Sequence, residues 1–244
     1  MNSTKLYCCY HDEQQKIDFK NDDLIWIYGP NDPLNKYISE MSLYKWIFEN
    51  DKTSDVIGVC HYRRQLCLND VDYNFINDNK CIVYDYAYFH NNNYHLGIRE
   101  WSRPQWFNCR FLYFDWIEYL RNNNLLHYYE ADEFSADQGI FITRCICIMN
   151  RNHFMNMCKY ILGFLDFIDC KYLLNKNPDN YETFVNNWRN NYVNNNYLGG
   201  TTVTNEPFVI DYNMRIRLLS YLSEWLVSNY IVANFTFDNI KKIK

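Results

Sequence analysis

Residues Tyr37 to Leu66 read YISEMSLYKWIFENDKTSDVIGVCHYRRQL, and the fold turns on how this stretch divides. Ile38, Met41, Tyr44 (with Lys45 beside it) and Phe48 recur at three- and four-residue steps, and no Gly or Pro interrupts before Asn50, so the spacing predicts an amphipathic helix with Ser39 as its N-cap. Asp51 to Ser54 form a short polar break. Val56, Ile57, Val59 and Cys60 then make a nearly continuous apolar run of strand length, as in a sheet covered on both faces. His61, Arg63 and Arg64 follow at its carboxyl end, where open α/β sheets bind their ligands. Two adjacent arginines in extended chain point to opposite faces, so both reach one ligand only if the chain has begun to turn. Guanidinium groups suit phosphate through bidentate, charge-assisted bonds, and His61 adds a donor or takes a proton near neutral pH. A solvated strand end carrying surface ion pairs accounts for the same four residues, and residue chemistry alone leaves both readings open.

The rest of the chain reads coarsely. Leu6 to Tyr10 is expected to be a first strand ending at His11, Leu24 to Tyr28 a second broken by Gly29-Pro30, and Cys81 to Tyr84 a later one. Strand, loop and helix in repetition predict an α/β fold with a mostly parallel central sheet flanked by helices. Between Trp106 and Tyr119 the apolar and aromatic residues are too dense for one exposed face, which predicts a buried helix rather than a sugar platform. No Ser/Gly/Pro linker divides the 244 residues, so residues 1–244 are expected to form one domain.

Composition narrows the function classes. With 24 basic against 29 acidic residues the net charge is −5, which argues against a general nucleic-acid binder and makes any cationic site local. Ten cysteines lie mostly in apolar runs without zinc-site spacing and read as reduced core thiols of a cytoplasmic protein. Cys145 and Cys147 alternate as strand residues would, and are expected to be small core residues rather than a metal or redox pair. No secretory signal or transmembrane-length apolar span is evident. Asn tracts at 91–93, 122–124 and 194–196 read as loops, and the Asn, Ile, Tyr and Lys bias follows AT-rich coding. A bacterial cytosol, or host cytoplasm for a large AT-rich virus, would fit.

The stretch quoted above resembles the signature of a family of glycosyltransferase-like proteins from capsule and exopolysaccharide gene clusters. That signature is a Glu-Leu-Thr helix ending in Trp-Lys-Asn, then a strand ending His-Tyr-Arg-Arg. The matching residues are Glu40, Ser42 in place of Thr, Trp46, Asn50, Gly58, His61, Tyr62, Arg63 and Arg64. Weaker similarity continues in order through His90, Leu96, Pro104-Gln105-Trp106, Asp137 to Ile142, the helix around Phe154 to Phe167, Arg217 and Ser223-Glu224. The resemblance implies a GT-A type glycosyltransferase fold and transfer of a sugar from a nucleotide sugar, a UDP-sugar by preference, to a glycan or other hydroxyl acceptor.

Such folds commonly hold a divalent cation, manganese or magnesium, on an Asp-x-Asp at a central strand end. This chain has His61-Tyr62-Arg63 there instead, which puts metal dependence in doubt and suggests that Arg63, with Arg64 and His61, takes over stabilisation of the leaving diphosphate. Asp70-Val71-Asp72, just beyond, is the alternative cation site. For the proton-accepting carboxylate of an inverting transfer the first candidate is Asp137 and the second Glu224. Against them stand Asp137 as a turn or strand-start residue and Glu224 as a helical partner of Arg217. His11, Glu40, Ser42 and Gln138 join the donor-site candidates, His90 and His95 fall to the acceptor side, and Asp85 is a weaker strand-end candidate. A noncatalytic nucleotide- or glycan-binding protein on this scaffold, or another phosphate-handling enzyme, remains the competing class; the latter usually brings a Gly-rich phosphate loop or a dense Asp/His cluster, which this sequence lacks.

Overall fold

The computed structural model describes residues 3–77, 80–84, 86–88, 110–138, 140–142, 145–194, 199–200, 207–208 and 218–243. Its helices are α1 (Glu13–Asp18), α2 (Asn35–Ile38), α3 (Met41–Asn50), α4 (Tyr73–Asn77), α5 (Arg110–Asn122), α6 (His127–Gln138), α7 (Arg151–Lys171), α8 (Pro178–Asn194) and α9 (Leu218–Asn234). The main sheet contains β1 (Thr4–Tyr10), β2 (Leu24–Tyr28), β3 (Val56–His61), β4 (Cys81–Val83), β7 (Cys147–Asn150) and β10 (Ile240–Lys242), in the order β10-β4-β7-β3-β1-β2. Two short ladders lie outside it: β5 (Tyr86–Tyr88) with β6 (Ile140–Ile142), and β8 (Gly199–Gly200) with β9 (Pro207–Phe208). Within the main sheet β1, β2 and β3 are parallel, as are β4 and β10, and β7 alone runs against its neighbours β3 and β4. This is the mostly parallel α/β architecture expected from the sequence.

The strands alternate cleanly between two cores. Tyr7, Cys9, Ile57, Val59, Cys147 and Met149 pack against α3, α5, α7 and α9 in the larger core. Their neighbours Leu6, Cys8, Val56, Cys60 and Ile148 pack against Leu66, Val71 and Ile76 from the segment after β3. A sheet buried on both faces needs apolar residues at successive positions, which explains the continuous run in β3. Gly58 lies in that run because β1 crowds it: a Cβ there would come within 2.5 Å of Leu6 Cδ2.

Helix α5 begins the run of buried Leu112, Trp116, Tyr119 and Leu120, yet Phe114 is 62% exposed, so this helix has one outward face and is not buried all round. Residues 89–109, including Trp106, lie outside the described residues. Cys145 is not a strand residue: it holds a left-handed turn at φ 57° ahead of β7, while Cys147 opens the strand, and both thiols are buried. The described cysteines are all unpaired thiols. Among the described residues no helix is long and apolar enough to cross a membrane.

The amino end of the sheet is held by one carboxylate. Asp51, in the turn between α3 and β3, accepts hydrogen bonds from Tyr7 Oη (2.8 Å), the Thr53 and Ser54 backbone N–H groups (2.9 and 3.1 Å) and the Ser54 hydroxyl. Arg151, first residue of α7, adds an Nη1 contact at 3.2 Å, and Lys5 approaches to 3.7 Å. The polar break seen in the sequence is thus a buried junction, with Asp51 only 2% exposed.

The helix ahead of β3 does not start at Ser39. Asn35–Ile38 form a separate turn of helix, and Ser39 ends it at φ 43°, ψ −114°, redirecting the chain before α3. Glu40, in helical conformation and making no side-chain cap, occupies the N-cap position of α3 instead. Ser39 therefore reads as a strained corner rather than a cap.

Candidate functional site

The sheet topology reverses direction between two particular strands. From the carboxyl end of β1 the chain leaves toward β2 on one side, whereas from β3 it leaves toward β4 on the other, so the switch point of the sheet lies between β1 and β3. Parallel register pairs Cys9 with His61, which sets His11, just past β1, beside the end of β3. The two histidines are near enough to interact electrostatically.

His61 is held as a particular tautomer. The backbone N–H of Arg63 donates to His61 Nδ1 at 3.2 Å, so the neutral ring carries its proton on Nε2. Burial lowers its pKa below the ordinary histidine value; Glu40 pulls the other way, while Arg63, Arg64 and His11 reinforce the lowering. The chain turns immediately afterwards: Arg64 N–H donates to the His61 carbonyl at 2.8 Å, closing a bridge between the two residues. This is the turn required for both arginines to serve one ligand, and both charges bear on His61. The Arg63 guanidinium lies 5.1 Å over the Tyr62 ring, which is itself buried against Phe19. Arg63 is exposed and Arg64 half-buried, and among the described residues neither forms an ion pair.

A second group of side chains gathers around Asn35. Its Nδ2 donates to the Ser39 carbonyl and to Ser42 Oγ, both at 3.2 Å, and its Oδ1 meets His11 Nδ1 at 3.1 Å. Gly29 leaves room for this amide, since a Cβ at Gly29 would fall 2.7 Å from Asn35 Nδ2 and 2.9 Å from Cys9 Sγ. A small, open cleft of about 180 Å³ adjoins the cluster at the carboxyl end of β2, lined by Tyr28, Gly29, Asp32, Ser42, Lys45 and Trp46.

Two carboxylates approach this end of the sheet from the start of α3 and from α9. Ser220 in the first turn of α9 donates to Glu40 Oε2 at 3.1 Å. Glu40 also acts on His61, Cys9, Tyr44 and Cys145, and Glu224 acts on Cys145. Burial pushes the Cys145 thiol well up, and the two glutamates push it further. Its left-handed backbone is fixed by Tyr44 Oη donating to the Cys145 carbonyl at 3.0 Å. Glu40 and Glu224, far apart in sequence, thus both approach the turn that precedes β7.

Other candidates fall elsewhere. Asp70 accepts the Cys67 backbone N–H at 2.7 Å. Asp72 caps α4 through the Phe75 N–H and pairs with Lys241 Nζ at 2.8 Å. These contacts occupy the Asp-x-Asp string, and among the described residues no group of three or more His, Cys, Asp or Glu side chains could hold a metal ion. Asp137 and Gln138 are backbone positions in the last turn of α6, with β6 following, so Asp137 precedes a strand from within a helix. Asp85, His90, His95, Leu96, Pro104, Gln105 and Arg217 lie outside the described residues. The sequence reading missed Asn35, Gly29, Tyr44 and Ser220. Gly29, already marked as a strand breaker, and Tyr44, part of the helical periodicity, carried local signals, but neither pointed to a site.

No protein-family model matches the chain, and no curated protein matches it in sequence. A search of solved structures finds a similar fold in the WbbM bifunctional glycosyltransferase in its apo form, with a TM-score of 0.58 and 12% sequence identity. The match covers 99% of this chain and 44% of that one, so the chain spans less than half the length of that protein. The likeness is one of fold: a glycosyltransferase-like α/β fold.

Proposed function

We propose that the chain is a glycosyltransferase that moves a sugar from a nucleoside-diphosphate sugar, a UDP-sugar by preference, to a hydroxyl of a glycan acceptor. The observation that carries this reading is the His61-Tyr62-Arg63-Arg64 turn at the switch point, where two cations without an acidic partner among the described residues flank a neutral histidine donor. As the anomeric carbon leaves, negative charge builds on the diphosphate. Arg63 and Arg64 meet it with charge-assisted hydrogen bonds, and His61 Nε2–H adds a neutral one. The mechanism takes no step through a cation, because the carboxylates of the Asp-x-Asp string are engaged elsewhere.

The acceptor hydroxyl needs a group to take its proton, and Asp137 and Glu224 are the carboxylates proposed for it. Glu224 is supported by its approach to the turn before β7. Glu40 and Ser42 would bind on the donor side, Ser42 from the wall of the cleft beside β2.

Thermal-shift measurement with UDP, UMP and UDP-sugars, each with manganese and with chelator, tests the proposal. UDP should stabilise the protein, UMP should not, and chelator should leave the UDP shift in place. Arg63→Ala should abolish it. Absence of a shift with any nucleotide or nucleotide sugar would count against the transferase.

A further inference from the structure

The hydrogen bonds around Asn35 impose a direction on His11. The Ser39 carbonyl can only accept, so the Asn35 amide must turn its NH₂ toward it, and Ser42 Oγ accepts from the same nitrogen. The amide oxygen is thereby left facing His11 Nδ1, and an oxygen there requires that nitrogen to carry the proton. His11 Nε2 is then an acceptor in the neutral ring. Across the switch point the opposite holds, because the Arg63 N–H occupies His61 Nδ1 and leaves the proton on Nε2. Gly29 and the strained Ser39 corner both serve this arrangement, one by leaving space for the amide and the other by aiming its carbonyl at it.

We infer that Asn35 is a positioning residue that holds His11 as the Nδ1–H tautomer, so that the two histidines present an acceptor over β1 and a donor over β3. Such a pair reads a ligand by polarity: a hydroxyl donates to His11 Nε2, and an anionic oxygen accepts from His61 Nε2–H. The ligand class is a sugar phosphate or sugar diphosphate laid across the switch point with its hydroxyl-bearing part over β1. This deepens the proposed transferase reading and rests on it for the ligand, while the tautomers themselves do not depend on it.

The tautomers are read directly by ¹⁵N–¹H correlation spectra of protein labelled at its histidines, assigned with His11→Gln and His61→Gln. His11 should show a protonated Nδ1 and His61 a protonated Nε2. Asn35→Leu removes the acceptor and should let His11 shift toward the Nε2–H form that free imidazole side chains favour, leaving His61 unchanged. Asn35→Asp loses both donations, to Ser39 and to Ser42, but keeps an oxygen toward His11, so it should retain the Nδ1–H tautomer. A merely structural asparagine would not separate these variants. Should Asn35→Leu fail to fold, Asn35→Asp and the wild type still decide the matter. An Nε2–H form of His11 in the wild type, or its appearance in Asn35→Asp, would overturn the assignment. Inorganic pyrophosphate should move the His61 resonances and not those of His11; the reverse would overturn the polarity. A spectrum with the stated tautomers but no response to pyrophosphate or UDP would instead remove the transferase reading and, with it, the ligand.

Discussion

Asp51→Ala is expected to cost about 3–4 kcal/mol of folding stability, near the lower end of the range for breaking a buried ion pair. The Asp51 side chain is inaccessible to solvent and joins three parts of the chain: Tyr7 and Lys5 of β1, the Thr53-Ser54 turn, and Arg151 at the start of α7. Truncation leaves the Tyr7 hydroxyl without its acceptor, at about 1–3 kcal/mol for a buried group, and strips a charged acceptor from two backbone N–H groups. Arg151 is partly spared, because its Nη2 also donates to the Asp51 backbone carbonyl at 2.6 Å and its side chain is 28% exposed. That residual anchorage is the reason for the lower end of the range. With a urea m value of about 2–3 kcal/mol/M, the midpoint should fall by roughly 1–2 M. A loss under about 1 kcal/mol would refute the view of Asp51 as the junction of these elements.

The acid dependence offers a second arm of the same experiment. Burial alone would raise the Asp51 pKa, but hydrogen bonds from Ser54, Thr53 and Tyr7 outweigh it and hold the carboxyl well below the usual carboxylate range. A pKa depressed on folding contributes its stability in full above the unfolded value, about 3.9, and loses it as pH falls through the lower folded value. The stability gap between wild type and Asp51→Asn should therefore narrow below about pH 4. A gap that widens on acidification would reverse the sign of the argument.

Three further outcomes are expected. Ser39→Gly should stabilise by about 1 kcal/mol in urea unfolding, since relief of strain worth about 1–3 kcal/mol exceeds a glycine entropy cost of about 0.5–1 kcal/mol; a loss of stability would show that Ser39 is not strained. Arg63→Lys should retain only part of the thermal shift by UDP, because an ammonium neither forks onto a phosphate nor stacks as well over Tyr62, and full retention would mean that charge alone suffices. Asp137→Asn and Glu224→Gln, compared in single-turnover transfer assays, should leave UDP binding intact while the variant lacking the base loses about 10²–10⁴-fold in transfer; unchanged turnover in both would exclude a carboxylate base at either position.

Much of the sheet was legible because its signals are local. Continuous apolar runs at Leu6–Tyr10 and Leu24–Tyr28 and the run ending in His61 need only neighbours in sequence, and the strands β1, β2 and β3 lie where those runs predict. The Ser39 corner was not legible, because serine before a periodic helix signals a cap. The competing influence is Asn35, whose amide draws the Ser39 carbonyl into a conformation that no local pattern encodes. Asn35 itself escaped notice since its partner His11 is 24 residues away and an asparagine in a Pro- and Asp-rich loop signals only a turn. The approach of Glu40 and Ser220, 180 residues apart, required the packing of α9 against α2. The Asp-x-Asp string shows the opposite hazard: a motif legible in sequence whose carboxylates turn out to hold local backbone.

The reversed strand β7 has a consequence for how this scaffold could diversify. Because it enters the sheet at the end that carries His61 and leaves at the other, α7 starts beside Asp51, while the turn carrying Cys145 lies at the His61 end. One pole therefore bears the cohesive ionic junction and the opposite pole bears the histidines and arginines. Substitutions among the histidines and arginines thus leave the fastening at the other pole untouched.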